Sequence, residues 1–214
     1  MSYKDAVSKT IQTISKAALD ARAELDHIHK ARADNRQSLV SRIVGDEGYK
    51  QRNAELDSQE EAARSKFSDA VGKAMSEYQA AKADTFTPRP RKVSADTMQF
   101  LSLVDLSQDE AGRLILEAKN KDHNYTLARM VYTNVQRQGI DMHDDSAAYL
   151  EQCDKEISYF ADTCASMLQD SSSAYAASFG GFLADTLKSI GDASAAYLGS
   201  TGVTSEGVPV EASE

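Results

Sequence analysis

The stretch that decides the fold is residues 7–43, which read VSKTIQTISKAALDARAELDHIHKARADNRQSLVSRI. Its early apolar residues recur at alternating steps of four and three residues, a period of about 3.5 that is typical of coiled-coil helices. The stripe is interrupted only at Arg32 and Asn35, which predicts one long helix with a polar layer. The apolar positions are Val7, Ile11, Ile14, Ala18, Ala21, Leu25, Ile28, Leu39 and Ile43.

A second helical pattern begins at Tyr49, and two prolines, Pro88 and Pro90, end it because proline cannot continue a helix. Gly45 and Gly48 lie between the two patterns and favour a turn. We therefore predict an antiparallel helical hairpin. The alternative is a continuous helix that pairs with another chain. The apolar positions of the second pattern include Leu56, Ala63, Phe67, Val71, Ala74, Met75 and Tyr78.

The pairing of the two helices follows from the position of the turn. A turn centred between residues 46 and 47 places residue i opposite roughly residue 93 minus i. Arg32 then lies opposite Glu60 and Glu61, so that the polar layers of the two helices coincide. We predict that these three residues set the register of the hairpin.

The whole chain is predicted to be all-α, with five segments in sequence order. A connector with two prolines follows the hairpin, then a short helical bundle, a weakly amphipathic helical segment and a flexible acidic tail. The predicted boundaries are 1–84 for the hairpin or coiled coil, 85–93 for the linker, 94–170 for the bundle, 171–198 for the amphipathic segment and 199–214 for the disordered tail.

The last helix of the predicted bundle, from about residue 144 to residue 170, carries a second apolar stripe. A parallel pairing of two copies would bury it, so we expect self-association through this helix. The alternative is that the stripe is buried within the monomer. The predicted interaction seam, taken over all three helices, comprises Val7, Ile11, Ile14, Leu25, Ile28, Phe67, Val71, Leu150, Cys153, Ile157, Phe160 and Met167.

Charge and composition exclude several classes of protein. The net charge is −9, and residues 141–214 carry 13 acidic and 2 basic groups, which would repel a phosphate backbone. No apolar run is long enough for a membrane span, and no signal peptide is visible. Two cysteines are too few for a disulfide framework. We expect a cytoplasmic protein that binds neither nucleic acid nor membrane.

Candidate reaction centres are sparse. Glu24 and His27 have the E-x-x-H spacing of a di-iron bundle ligand pair, but no second E-x-x-H pair is present. The run from Asp141 to Asp145 contains metal-ligand residue types, although its place just before a helix favours capping. Motifs of phosphate-binding loops, dinucleotide folds, serine hydrolases and zinc proteases are absent. We expect no catalytic site, no metal and no cofactor.

The arrangement of a neutral hairpin, a helical block and an acidic tail resembles helical assembly proteins of tailed phages and prophages, scaffolding proteins especially. Ser107-Gln-Asp-Glu110 and Asn124-Tyr125 with Arg129 contribute to this resemblance. It implies a non-enzymatic structural or adaptor protein that binds protein partners and is cytoplasmic or virion-associated. Scaffolding proteins often end in a basic capsid-docking helix, whereas this chain ends acidic.

The hairpin is also similar to type VII secretion substrates, which implies a secreted helical-hairpin protein or effector as the alternative. Those substrates carry Trp-x-Gly in the turn, whereas this chain has Val44-Gly45 and no tryptophan. A helical enzyme or metal protein is the third hypothesis.

Overall fold

The computed structural model describes residues 3–121, 123–169, 174–203 and 209–211, and its fold class is all-α, as predicted, apart from one small two-stranded ribbon. Its helices are α1 (Tyr3–Val40), α2 (Asp46–Phe86), α3 (Ala95–Leu103), α4 (Gln108–Asn120), α5 (Tyr125–Arg137), α6 (Ser146–Gln169) and α7 (Ala174–Gly199), with a 3₁₀ turn at Pro90–Lys92. Strands β1 (Ser200–Val203) and β2 (Pro209–Glu211) form a small antiparallel ribbon.

The chain divides into two compact units, and each unit gathers segments that are distant in sequence. The first unit consists of Met1–Lys4, Ala80–Glu156 and Lys188–Glu214, and the second of Asp5–Gln79 and Ile157–Leu187. The predicted boundaries follow the order of the chain and differ from these. The reason is that α1, α2, α6 and α7 each contribute residues to both units.

The hairpin is present in the second unit. Helices α1 and α2 run antiparallel, because Lys9 pairs with Glu77 at 3.0 Å and Glu24 pairs with Lys66 at 3.1 Å. The apolar stripe of α1 supplies much of the interior of this unit. Its buried members there are Ala6, Val7, Ile11, Ile14, Ala18, Ala21, Leu25 and Ile28, and those of α2 are Leu56, Ala63, Phe67, Ala74 and Tyr78.

The turn lies earlier than predicted. Helix α1 ends at Val40 and α2 already begins at Asp46, so Gly48 is inside the first turn of α2. The left-handed residue of the turn is Arg42, with φ of 54°, rather than either glycine. Gly48 has a packing role instead, because a Cβ added there would lie 2.8 Å from Cγ1 of Val44.

The earlier turn changes the register. The prediction placed residue 69 opposite Glu24 and residue 84 opposite Lys9, whereas the observed partners are Lys66 and Glu77. The turn is centred near residue 43 instead of between 46 and 47, which moves the partners towards the N-terminus of α2. Ile43, which the periodicity placed on the buried stripe, is 78% exposed as a consequence.

Helices α3, α4 and α5 form the core of the first unit. Ser107 caps the N-terminus of α4 in a capping box: its side chain accepts from the Glu110 backbone N–H at 3.3 Å, and the Glu110 carboxylate accepts from the Ser107 N–H at 2.9 Å. The buried cluster comprises Leu101, Leu106, Ala111, Ile115, Ala118, Ala128, Val131, Tyr132, Val135 and Met142.

The segment predicted as weakly amphipathic, residues 171–198, contains most of helix α7. Within the first unit, Tyr149 of α6 is bonded to Ser194 of α7 at 2.9 Å, and within the second unit the rings of Phe160 and Phe182 stack at 5.3 Å. Helix α7 therefore packs on helices of its own chain. Its buried positions are Thr186, Ile190, Ser194 and Tyr197. Of the apolar stripe that the sequence pattern gives this segment, Ile190 is buried, Leu183 and Leu187 are half-buried, and the side chain of Phe179 lies outside the described residues.

Two short strands lie within residues 199–214, the segment predicted to be a disordered tail. Ser200 pairs with Glu211 and Val203 with Pro209, and Thr201 is buried. Gly112 of α4 lies next to Thr201, and a Cβ added there would make an ordinary van der Waals contact with Cγ2 of Thr201 at 3.4 Å. Residues 204–208 and 212–214 lie outside the described residues.

Candidate functional site

The predicted seam of the hairpin lies in the interior of the second unit. Its α1 members are all buried, Phe67 is 7% exposed and Val71 is half-buried. These side chains therefore hold the unit together and offer little surface to another chain. The α1 members are Val7, Ile11, Ile14, Leu25 and Ile28.

The seam of α6 is also largely buried within the chain. Cys153 is inaccessible in the first unit, and Ile157 and Phe160 are inaccessible in the second, whereas Leu150 and Met167 are half-buried. The structure thus has the alternative arrangement, in which the stripe is covered within the monomer, and a dimer built on these residues is not supported.

The register residues meet as a polar layer across the hairpin. Arg32 donates to Glu60 at 2.7 Å and to Asp57 at 2.5 Å, while Glu61 is exposed. Hydrogen bonds from Arg64, followed by the charge of Arg32, lower the pKa of Glu60 below its usual range. The charged layer is therefore anchored at Glu60, with Asp57 in the place expected for Glu61.

Asn35 completes this layer from the buried face of α1. Its side-chain amide donates to the Tyr49 carbonyl at 3.1 Å and to the Asn53 side chain at 3.0 Å. A buried amide without hydrogen-bond partners is costly. These two hydrogen bonds of Asn35 therefore favour the observed register of the two helices over shifted registers.

A different surface is apolar and exposed, on the outward face of α3. Phe100 is 48% exposed, Leu103 is 74% exposed and Val104, at the C-terminal cap, is 37% exposed. Leu101 points the other way and is buried. We call Phe100, Leu103 and Val104 the α3 patch.

Polar side chains of α5 hold the α3 patch in place. The Asn134 amide donates to the Leu101 carbonyl, and the Gln138 side-chain oxygen accepts from the Leu106 N–H at 3.1 Å. At its N-terminus α3 is capped by Ser94, which accepts from the Thr97 N–H at 3.0 Å. The patch is therefore displayed on a helix whose two ends are both fixed.

A buried lysine lies at the centre of the first unit. Lys119 of α4 has a fully buried side chain and donates to Asp145 at 2.8 Å, to the Tyr197 carbonyl at 3.1 Å and to the Ser200 carbonyl at 3.0 Å. Its Nζ also lies 4.0 Å from the centroid of the Tyr197 ring, a cation–π geometry. Burial lowers the pKa of Lys119, and Asp145 opposes that shift. Lys119 joins α4 to the end of α7 and the start of β1.

The first unit contains an aromatic cluster, and Lys119 contacts one of its rings, that of Tyr197. Tyr149 and Tyr197 stack in parallel with centroids 4.5 Å apart, and Tyr125 stacks on Phe86 at 4.6 Å. Tyr3 meets Phe86 edge-on at 5.1 Å. The rings come from α1, α2, α5, α6 and α7, so the cluster ties together five helices.

The cluster forms the wall of a cleft of about 550 Å³, which we call the aromatic cleft. Burial raises the pKa of Tyr125, Tyr149 and Tyr197 above the usual tyrosine range, so their hydroxyls stay protonated at neutral pH. The stacked rings give the cleft a largely aromatic wall. The lining residues are Tyr3, Lys4, Asp84, Thr85, Lys92, His123, Tyr125, Tyr149, Ser194, Tyr197 and Leu198.

The candidate metal ligands have other roles. Glu24 pairs with Lys66, and His27 is exposed. Asp144 accepts from the Ser146 N–H at 3.0 Å and so caps α6, as predicted. Within the described part of the chain, no three His, Cys, Asp or Glu side chains group as a metal site would need.

Neither Lys119 nor the aromatic cleft was predicted from the sequence. Lys119 carried a signal, because it follows Ala111 and Ile115 at steps of four on the buried stripe of α4, where a lysine needs a partner. The tyrosines of the aromatic cluster had no such signal, since no spacing within any one helix marks them as neighbours in the fold.

No family model, curated protein or solved structure matches the chain. None of the described helices combines the length and the apolar character that crossing a bilayer demands. Function is therefore inferred from the geometry of the two units.

Proposed function

We propose that this protein is a non-enzymatic structural or adaptor component of a larger assembly, and that the α3 patch is its contact with a partner. The exposure of Phe100, Leu103 and Val104 on one fixed helix carries the proposal. Contiguous exposed apolar side chains mark protein interaction sites, whereas scattered ones are ordinary. The hairpin supplies an elongated body, whose α1 alone has 38 residues and a length of about 57 Å.

Site-specific photocrosslinking in the cell that makes the protein tests this proposal. A photoreactive phenylalanine analogue at Leu103 should give one predominant covalent adduct, identified by mass spectrometry. The same analogue at Arg113, an exposed residue of α4, is the matched control and should give none. Identical products at the two positions, or no adduct at Leu103, would contradict the proposed contact.

Self-association stays a proposal, now with the α3 patch as the contact, because the α6 seam is buried. Light scattering at micromolar concentration should give a dimer mass for the wild-type chain and a monomer mass for Leu103→Ser. Equal masses for the two chains would rule out this route of self-association.

Within this class we propose cytoplasmic assembly of a tailed phage or prophage virion, which rests on the resemblance in organisation. The protein should then co-sediment with capsid precursors in lysates of producing cells. The alternative, a secreted helical-hairpin protein, predicts accumulation in the culture medium and no co-sedimentation.

A further inference from the structure

The aromatic cleft has features of a small-molecule site that the proposed adaptor function does not use. Its volume of about 550 Å³ lies within the 300–1,000 Å³ typical of ligand pockets. The cleft is confined to the first unit, and all of its lining residues belong to that unit. It therefore needs no second chain to be complete.

The wall of the cleft offers a ring for stacking. Tyr3, Tyr149 and Tyr197 are each less than 10% exposed, whereas Tyr125 is half-buried and is the ring that a ligand would reach. The Tyr125 ring also stacks with Tyr197, with centroids 6.0 Å apart. Phe86 stacks against Tyr125 and fixes its orientation. Aromatic rings prefer offset stacks with centroids 4.5–7 Å apart, so a planar ligand would find an oriented surface here.

The rim of the cleft is cationic, in a chain whose net charge is −9. Lys4 and Lys92 line it and are exposed, and the one acidic residue in the lining, Asp84, is already paired with Arg89 at 2.7 Å. Among the described residues, the ion pairs of the protein involve neither Lys4 nor Lys92. The rim can therefore attract an anionic group.

The backbone around Lys92 and His123 is held firmly. The Asn124 amide donates to the Lys92 carbonyl at 2.7 Å, and His123 adopts a left-handed conformation with φ of 45°. A ring nitrogen of His123 lies 3.2 Å from the Lys119 carbonyl, which ties the rim to α4. A left-handed non-glycine residue persists only where its surroundings enforce it.

We propose that the aromatic cleft binds a nucleoside monophosphate, with the base against Tyr125 and the phosphate at Lys92 and Lys4. A planar ring and a single anionic group are the two features that the wall and the rim recognise together. The hydroxyl of Thr85, also in the lining, offers a hydrogen bond to the sugar.

Isothermal titration calorimetry of the full chain tests this with three kinds of probe. The four common nucleoside 5′-monophosphates present ring and charge, adenosine presents the ring alone, and inorganic phosphate presents the charge alone. At least one monophosphate should bind, with an affinity at least tenfold above that of adenosine and of phosphate. No binding by any of the four at millimolar concentration would overturn the proposal, as would a best monophosphate affinity equal to that of adenosine or of phosphate.

Two variants separate the wall from the rim. Lys92→Ala should weaken binding of the monophosphate five- to tenfold and leave adenosine unchanged, whereas Tyr125→Leu should weaken both. Lys188→Ala removes an exposed lysine of the same unit outside the cleft and is the control. Circular dichroism verifies that each variant is folded. Equal affinity for Lys92→Ala and Lys188→Ala would show that the site is not the aromatic cleft.

Discussion

Replacing Lys119 by methionine removes the charge at the centre of the first unit while keeping most of the side-chain volume. The Asp145 carboxylate, 19% exposed, would lose its only described cationic partner, and the carbonyls of Tyr197 and Ser200 would lose a donor. Breaking a buried ion pair from one side costs about 3–5 kcal/mol. We expect the free energy of unfolding to fall by an amount in that range.

The double variant Lys119→Met with Asp145→Leu should recover part of this loss. It removes the orphaned carboxylate, and leaves the two carbonyls as the remaining penalty of about 1–3 kcal/mol. Lys121→Met, at an exposed lysine two residues away, should change stability by less than about 1 kcal/mol.

Urea unfolding followed by near-UV circular dichroism measures these differences, because the tyrosines of the aromatic cluster report packing of the first unit. A loss below about 1 kcal/mol for Lys119→Met would refute the reasoning. So would a double variant less stable than the single one, since most of the cost should come from the unpaired carboxylate.

Packing and charge lead to three further predictions. Gly72→Ala should raise the unfolding free energy by about 0.5–1 kcal/mol because nothing lies near its added Cβ, whereas Gly48→Ala, which meets Val44, should show less gain or a loss in urea titrations. Glu60→Gln should cost less than about 1 kcal/mol at pH 7, with the cost vanishing below the carboxyl's folded pKa, because a lowered pKa stabilises the fold only above it. Burial raises the pKa of the Cys164 thiol to about 12, so the folded chain keeps a proton that the unfolded chain loses above pH 9, and the free energy of unfolding should fall as pH rises. In urea unfolding, Cys164→Ala should reduce this fall in stability between pH 8 and pH 10 by about 1.4 kcal/mol.

The long helices could be predicted from the sequence because an apolar period of about 3.5 residues, sustained over many turns, is produced by helices and not by strands or loops. The polar layer was predictable for the same reason, since Arg32 and Asn35 interrupt a stripe that is otherwise regular. The turn was harder to place. Gly45 and Gly48 indicate a break, but a glycine is tolerated in the first turn of a helix, so the pair could not decide where α2 begins.

The aromatic cleft could not be predicted because its residues are brought together only by the tertiary fold. Tyr3 and Tyr197 are 194 positions apart, and no periodicity in either helix links them. The exposed α3 patch lies in a strongly apolar segment, but which of its side chains are covered depends on where α5 packs. The formation of the two strands could not be predicted either. The residues of the tail are small and polar, and nothing in their sequence indicates that a carbonyl at the start of β1 accepts a hydrogen bond from Lys119.

The first unit also bears on how the protein is made. Its buried lysine takes two of its acceptors from Tyr197 and Ser200, which the ribosome adds about 80 residues after Lys119. At about 5–20 residues per second, the lysine waits some 4–16 s for them. During synthesis the hairpin can already form through local contacts, whereas the aromatic rings of α1, α2 and α5 are not yet covered by Tyr149 of α6 and Tyr197 of α7. A prematurely terminated chain would therefore keep an exposed aromatic surface, a feature by which cellular proteases could distinguish it from the finished protein.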